Sequence, residues 1–149
     1  MSIKTEMTEH VKTKYGHSNY EALVPFLNVV NCHEDYAKFV SDGYIPLSIE
    51  KLWYEDPFGN PVYSICHWGE LNGDAMRDPE ITFGLDDQNE VLIPLSFENS
   101  YMAYYEEVFM KPEDEWLFSK KSLTGIDDFL HTWLDNIKEQ GFTPDKFND

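Results

Sequence analysis

Basic residues are scarce in this sequence. It has 11 lysines and arginines against 28 aspartates and glutamates, for a net charge of −17, and Arg77 is the only arginine. Residues 1–43 hold six acids and four bases, whereas residues 44–149 hold 22 acids and seven bases. A protein that binds nucleic acid needs a basic face to displace counterions from phosphates. The composition therefore argues against direct nucleic-acid binding and against an anionic membrane surface. It favours a basic protein surface or a divalent cation as the partner.

Cysteines, long apolar runs and catalytic motifs are also scarce. Cys32 and Cys66 are the only cysteines, and residues 1–17 lack the apolar core of a secretion signal, so we expect free thiols and a cytoplasmic protein. No apolar run approaches the roughly 20 residues that cross a bilayer. Zinc-binding, phosphate-loop and nucleophile-elbow patterns are missing. The sequence thus predicts no cofactor, no metal and no catalytic residue.

Aromatic residues, by contrast, are plentiful at 15% of the chain, which is typical of a folded protein and not of a disordered one. A length of 149 residues suits one domain with one core, so we assign residues 1–149 to a single domain. Residues 1–17 have weak periodicity, and we expect them to begin as a flexible arm.

Helical periodicity is clearest near the end of the chain. Residues 119–140 have a continuous apolar stripe that includes Phe129 and Trp133, and Gly141 follows as the residue that ends the helix. Near the start, apolar residues recur at helical spacing after Ser18, which is a suitable N-cap. A second short helix is predicted over residues 34–41, ending before Gly43.

The middle of the chain alternates with period two. Residues 47–54 and 62–68 flank a Pro-, Gly- and Asn-containing turn, which predicts a β-hairpin. Aromatics on both faces indicate that this hairpin is covered on more than one side or carries a partner site. Further strands are predicted over residues 80–85 and 91–97. Residues 101–110 are expected to form a fifth strand or a short helix, and we favour the strand. The expected fold is α+β: an antiparallel meander of four to five strands, packed by N-terminal helices and a long C-terminal helix.

Residues 67–80 gather a histidine, four carboxylates and the only arginine. Such a cluster could bind a divalent cation or perform acid–base chemistry. The alternative is a turn-rich connection in which Arg77 pairs with Glu70, Asp74, Asp78 or Glu80. We favour the alternative, because no spacing here matches an established metal or catalytic pattern. Cys66 is read as a small core residue, since no basic group near it in sequence would lower its pKa.

The same segment, with the sequence HWGELNGDAMRDPE, resembles the signature of an uncharacterised domain family of bacterial plasmids, phages and conjugative elements. Residues 93–99 and 133–142 are similar to later parts of that family, so the resemblance covers roughly residues 45–143. It implies a bacterial host cell and a small accessory protein of a mobile genetic element, a class in which inhibitors of host defence are common. It implies no catalytic residues.

Three functions follow as hypotheses. The first is an anti-defence protein of anti-CRISPR or antirestriction type, which acts as a DNA mimic on the basic surface of a nucleic-acid-processing effector. The second is a small metal-dependent enzyme or metal-binding protein that uses residues 67–80. The third is an accessory interaction protein without inhibitory activity. We favour the first, and with it a non-enzymatic protein. A homodimer is left open.

The candidate partner-binding residues are carboxylates of the acidic region that are predicted in turns or near strand ends, together with nearby tyrosines. In such positions side chains project and can take the place of phosphates, and tyrosines supply anchoring contact area. These residues are Asp86, Asp87, Glu90, Tyr101, Tyr104, Tyr105, Glu106, Glu107, Glu113, Asp114 and Glu115.

Overall fold

The computed structural model describes residues 2–12 and 14–145, and in these residues it contains three helices and nine strands. The helices are α1 (Ile3–Lys12), α2 (Gly16–Cys32) and α3 (Lys120–Gln140). The strands are β1 (Tyr36–Val40), β2 (Leu47–Glu55), β3 (Pro61–Leu71), β4 (Asp74–Asp86), β5 (Val91–Asn99), β6 (Tyr104–Glu107), β7 (Phe109–Met110), β8 (Leu117–Phe118) and β9 (Thr143–Pro144).

Seven strands form one antiparallel sheet in the order β6-β5-β4-β3-β2-β1-β9, and β7 and β8 form a separate two-stranded hairpin. The α+β class and the antiparallel meander are therefore confirmed. The expected count of four to five strands in the sheet was too low, because β1 and β9 were not predicted. The strand expected over residues 101–110 is divided: a 3-10 turn at Ser100–Met102 precedes β6, and β7 follows.

The prediction of a short helix over residues 34–41 is wrong, because β1 occupies this region. Glu34 and Asp35 both have positive φ, 57° and 67°, which turns the chain sharply after α2. Ala37 and Phe39 are then buried alternately and pair with Ile49 and Leu47 of β2. Period-two burial on the sheet therefore outweighs the local helical pattern.

The expectation of a flexible arm over residues 1–17 is also wrong for the part of the arm that the structure describes. Within α1, Met7 and Val11 are fully buried and belong to the core. Helix α2 begins at Gly16 and not after Ser18, and a Cβ at Gly16 would overlap the Val11 side chain. Met1 and Thr13 lie outside the described residues.

The C-terminal helix agrees closely with its prediction. Ser119 Oγ accepts a hydrogen bond from Ser122 N at 3.1 Å, and Gly141 ends the helix with φ of 73°. Trp133 is 7% exposed, as the apolar stripe predicts. Phe129 was expected to be buried as well, but it is 43% exposed, although its ring makes T-shaped contacts with Phe97 and Trp133.

The turn-rich connection expected within residues 67–80 is shorter than predicted, because β3 and β4 extend through most of this segment. Gly69, Glu70 and Leu71 pair with residues of β4, so only Asn72 and Gly73 form the turn. Their φ angles of 53° and 85° are those that a tight hairpin turn requires. The segment that carries the family resemblance is therefore the β3–β4 hairpin.

Candidate functional site

The two faces of the sheet differ in what lies against them. On one face Phe39 contacts Phe26 of α2, and His67 and Phe97 contact Trp133 and Phe129 of α3. We call the opposite face the open face. The register brings two polar cross-strand rows onto it. One row is Ser48, Cys66, Glu80, Glu98 and Tyr105, and the other is Glu50, Ser64, Thr82, Ser96 and Glu107.

Arg77 holds the first row together. Glu80 and Glu98 lie directly opposite each other on β4 and β5, an arrangement that repels like charges. Arg77 Nε lies 3.2 Å from one Glu80 oxygen, and its Nη1 lies 3.8 Å from a Glu98 oxygen. The guanidinium also lies 5.2 Å from the ring centroid of Trp68, whose indole N–H donates to Ser48 Oγ at 2.8 Å. The only arginine of the chain therefore contacts two carboxylates and an aromatic ring, while 43% of its side chain stays exposed.

The charged residues of segment 67–80 are therefore structural parts of the β3–β4 hairpin. The predicted pairing of Arg77 with one of four nearby carboxylates is confirmed for Glu80, and Ser64 Oγ donates to the other Glu80 oxygen at 2.7 Å. Burial raises the pKa of the Cys66 thiol to about 12, with Glu80 adding to the effect. Such a thiol is not a nucleophile at neutral pH. Cys66 is therefore the small buried residue that the sequence predicted.

His67 lies on the helix-covered face, on the opposite side of the sheet from Glu80 and Glu98. Its ring contacts Trp133 and Phe142, and burial lowers its pKa. Across residues 2–12 and 14–145, no three histidine, cysteine, aspartate or glutamate side chains are grouped so that they could hold a metal ion.

The antiparallel order brings three acidic segments to one end of the sheet, because alternate turns of a meander lie at the same end. They are the β2–β3 turn (55–60), the β4–β5 turn (86–90) and the segment 107–115 that leads from β6 into β7 and beyond. We call these three segments the acidic end. Together they hold nine carboxylates and one lysine, Lys111, so 20 of the 149 residues carry a net charge of −8.

Two of the nine carboxylates build the turns themselves. Asp56 accepts hydrogen bonds from the backbone N–H groups of Phe58 and Asn60 at 2.8 and 2.9 Å, and Asp86 accepts one from Asn89 N at 3.1 Å. Asp86 is 3% exposed, so the expectation that its side chain projects is wrong. Gly84 makes room for this arrangement, since a Cβ there would overlap Asp56 Oδ2.

A cleft of about 630 Å³ opens at the acidic end, between the open face and the β7–β8 hairpin. Its aromatic lining comes from Tyr54, Tyr105, Phe109 and Trp116. The acidic residues Glu55, Asp56 and Glu107 also line it, as does Lys111. Aromatic faces and carboxylates both attract cations, so the lining is suited to a positively charged group.

Electrostatics within the cleft reflect this excess of negative charge. Tyr105 Oη donates to Glu107 Oε1 at 2.6 Å. Burial and this hydrogen bond strongly raise the pKa of Tyr105. Burial raises the pKa of Tyr54 as well, and the charges of Glu80 and Glu107 add to the rise. Both tyrosines are therefore neutral hydrogen-bond donors throughout the physiological pH range.

The structure brings together only some of the sequence-predicted partner-binding residues. Tyr105 and Glu107 line the cleft, and the exposed residues Glu113, Asp114 and Glu115 follow it in the β7–β8 loop.

The exposed side chains of Asp87 and Glu90 lie at the same end, in the β4–β5 turn. Asp87 accepts a hydrogen bond from Tyr20 Oη at 2.8 Å. With burial, that contact raises the pKa of Tyr20 to about 12.

Three predicted residues lie elsewhere. Glu106 and Tyr104 are on the helix-covered side, where Glu106 accepts from Ser122 Oγ at 3.1 Å and Tyr104 contacts Phe97. Tyr101 lies at the opposite end of the sheet and donates to the Glu70 carbonyl at 3.1 Å. These three do not share a surface with the acidic end.

Sequence reasoning missed the cleft residues that β2 and the β7–β8 hairpin contribute. Tyr54, Glu55, Lys111 and Trp116 all line it, and none was among the candidates. The aromatic residues on both faces of the first predicted hairpin were the available signal. The contribution of Lys111 and Trp116 depends on how the β7–β8 hairpin folds back, which local sequence does not reveal.

Comparisons with known proteins place the chain in a family. Among the described residues, no helix has the length and apolar character needed to cross a membrane. Neither the curated protein sequences nor the solved structures include a match to this chain. A model of the family described as Domain of unknown function (DUF6908) matches residues 18–143, and the chain therefore belongs to that family.

Proposed function

We propose that this protein is a mobile-element accessory protein that binds and inhibits a host defence protein of anti-CRISPR or antirestriction type. In this proposal its acidic end occupies a basic nucleic-acid-binding surface of the target. The observation that carries the proposal is the concentration of charge: three turns that are distant in sequence place a net charge of −8 at one end of the sheet.

Few of these charges are neutralised within the molecule. Among residues 2–12 and 14–145, the ion pairs of lysine and arginine join Lys38 to Asp145, Lys120 to Glu6, and Arg77 to Glu80 and Glu98, all outside the acidic end. Uncompensated like charges on neighbouring turns raise the energy of the free protein. A basic partner surface would relieve that repulsion, so the arrangement favours binding over stability.

Charge of this kind acts first on the rate of association. A field of one sign attracts an oppositely charged partner and orients the encounter, and the effect weakens as salt is added. Exposed aromatics next to the carboxylates can then provide the apolar contact that charge alone does not supply. Tyr54 and Tyr105 are exposed and lie beside Glu107 in the cleft.

The test is a pull-down of basic nucleic-acid-processing effectors from the host, run at low and at high salt. We expect an effector to be retained at low salt and released at high salt. Reversal of Glu113, Asp114 and Glu115 to lysine should abolish most binding and inhibition while the circular dichroism spectrum stays unchanged.

A matched control distinguishes the effect of charge at the acidic end from the effect of the total charge of the protein. Reversal of the exposed residues Glu9, Asp42 and Glu139 to lysine changes the total charge by the same amount at other places. We expect this control to retain most of the inhibition. Equal losses in both triple variants would mean that only total charge matters, and unchanged binding in both would refute the proposal.

A further inference from the structure

The cleft already holds a cation against one of its rings. Lys111 Nζ lies 5.3 Å from the ring centroid of Trp116, within the distance at which a cation is attracted to an aromatic face. Lys111 is also the only basic residue of the acidic end. The molecule therefore contains an internal example of the group that the cleft is suited to bind.

The rest of the lining can accept a second cation. Glu107 accepts a hydrogen bond from Tyr105 through one oxygen, Oε1, which leaves Oε2 for another donor. Tyr54 and Tyr105 are both partly exposed beside it. At about 630 Å³ the cleft is large enough for more than one side chain of an extended peptide.

The negative charge of the protein indicates which kind of occupant the cleft favours. A second copy of this chain would bring another net charge of −17 and is repelled. An anionic ligand is repelled by the same carboxylates. A basic segment is attracted, and arginine suits the site better than lysine. Its planar guanidinium stacks on aromatic rings and donates two parallel hydrogen bonds to a carboxylate.

We propose that the cleft takes arginine side chains from an extended basic segment of a partner protein, with Glu107 and Trp116 as its main contacts. In the free protein Lys111 occupies the Trp116 face and competes with the incoming arginine. This inference rests on the proposed function, because it names the chemistry by which a basic partner is recognised.

The experiment measures binding of a hexa-arginine peptide by calorimetry at low salt, with NMR spectra of the tryptophan indole groups to locate it. Lys111→Ala removes the internal competitor, and Lys121→Ala removes the same charge from an exposed site on α3. We expect Lys111→Ala to bind the peptide roughly two- to fivefold more tightly than Lys121→Ala, the ratio that corresponds to an exposed cation–π contact.

A second pair of variants tests the carboxylate. Glu107→Gln should weaken binding severalfold more than Glu139→Gln, which removes an equal charge from the exposed surface of α3. The Trp116 indole resonance should shift on titration with the peptide, and a glycine–serine hexapeptide should have no effect. Hexa-lysine should bind more weakly than hexa-arginine.

Four outcomes would overturn the inference: no binding of hexa-arginine, equal affinities of Lys111→Ala and Lys121→Ala, equal losses in the two glutamine variants, or peptide-induced shifts that leave the Trp116 resonance in place. These outcomes are distinguishable from a failure of the proposed function. If a basic effector still binds in a salt-dependent way and responds to the triple reversal, only the cleft assignment is lost.

Discussion

The two faces of the sheet are built from opposite kinds of residue. The helix-covered face is apolar, with Leu47, Ile49 and Phe83 fully buried in one continuous core. The open face carries rows of serine, threonine and glutamate, and like charges stand opposite each other in Glu80 and Glu98. Burial of apolar area stabilises the first face, whereas the second gains little from its charges. The polar rows of the open face therefore contribute less to the stability of the fold than the apolar core of the covered face.

The largest difference in stability should appear between variants of two tryptophans. Trp133 is 7% exposed and packs against His67, whereas Trp53 is 93% exposed. Trp133→Ala should destabilise the protein by roughly 3–5 kcal/mol, because it leaves a cavity under the covered face. Trp53→Ala should change the free energy of unfolding by less than about 0.5 kcal/mol. Urea denaturation measures both, and similar losses in the two variants would contradict the comparison.

A smaller effect on stability should come from Asp127, whose hydrogen bonds connect α3 to the start of α2. Its carboxylate accepts hydrogen bonds from Tyr15 N at 3.1 Å and Asn19 Nδ2 at 3.2 Å, and burial raises its pKa to about 6. The folded state therefore holds this proton more tightly than the unfolded state. The stability that protonation contributes is lost as pH rises from about 4 to about 6.

Asp127→Asn should remove that dependence, which we expect to be of the order of 1–2 kcal/mol after allowing for solvent screening. The measurement is the free energy of unfolding of both proteins at pH 4, 5, 6 and 7. The variant should gain stability relative to the original protein over this window, with no further gain above it. Glu139→Gln, which removes an exposed carboxylate near the other end of α3, is the control and should leave the slope unchanged.

On the open face, Arg77→Gln should cost about 1 kcal/mol, because it leaves Glu80 and Glu98 facing each other without a cation between them. Adding Glu98→Gln should restore part of the loss by removing the repulsion. Thermal unfolding of the two single variants and the double variant gives the coupling energy. Additive losses would mean that Arg77 does not hold this row together.

The smallest effect should come from a single carboxylate at the acidic end. Glu113→Gln removes one exposed charge and should weaken binding of hexa-arginine by no more than about 1 kcal/mol. Calorimetry at low salt measures this, with Glu9→Gln as the matched control. A loss much larger than this would place a specific contact at Glu113 and would shift the site from the cleft to the loop.

Elements with strong local signals could be predicted from the sequence. Helix α3 has a capping serine, a continuous apolar stripe and a terminal glycine, and all three agree with the structure. The hairpin of β2 and β3 has period-two alternation and a turn that Asp56 stabilises. Helix α1 has a weaker signal, in which Ile3, Met7 and Val11 recur at intervals of four.

What could not be predicted depends on contacts between distant segments. Strand β1 becomes a strand because it pairs with β2 and β9 on its two sides, and nothing local to residues 36–40 specifies those partners. The rows of the open face depend on the registers of five strands. Likewise, Tyr104 and Tyr105 are neighbours in sequence, but they point to opposite faces of β6.

The meander also makes the charge distribution differ between the two ends of the sheet. The turns at the far end of the sheet with their flanking strand residues, residues 41–46, 71–74 and 99–104, contain two carboxylates, Asp42 and Asp74, against nine in the acidic end. Such an uneven distribution is a permanent electric dipole added to the overall charge. In the field of a basic groove the protein would rotate as it diffuses, so that the acidic end leads before any atoms touch. A small protein with this property needs fewer collisions to dock on a basic surface, which agrees with the role proposed above.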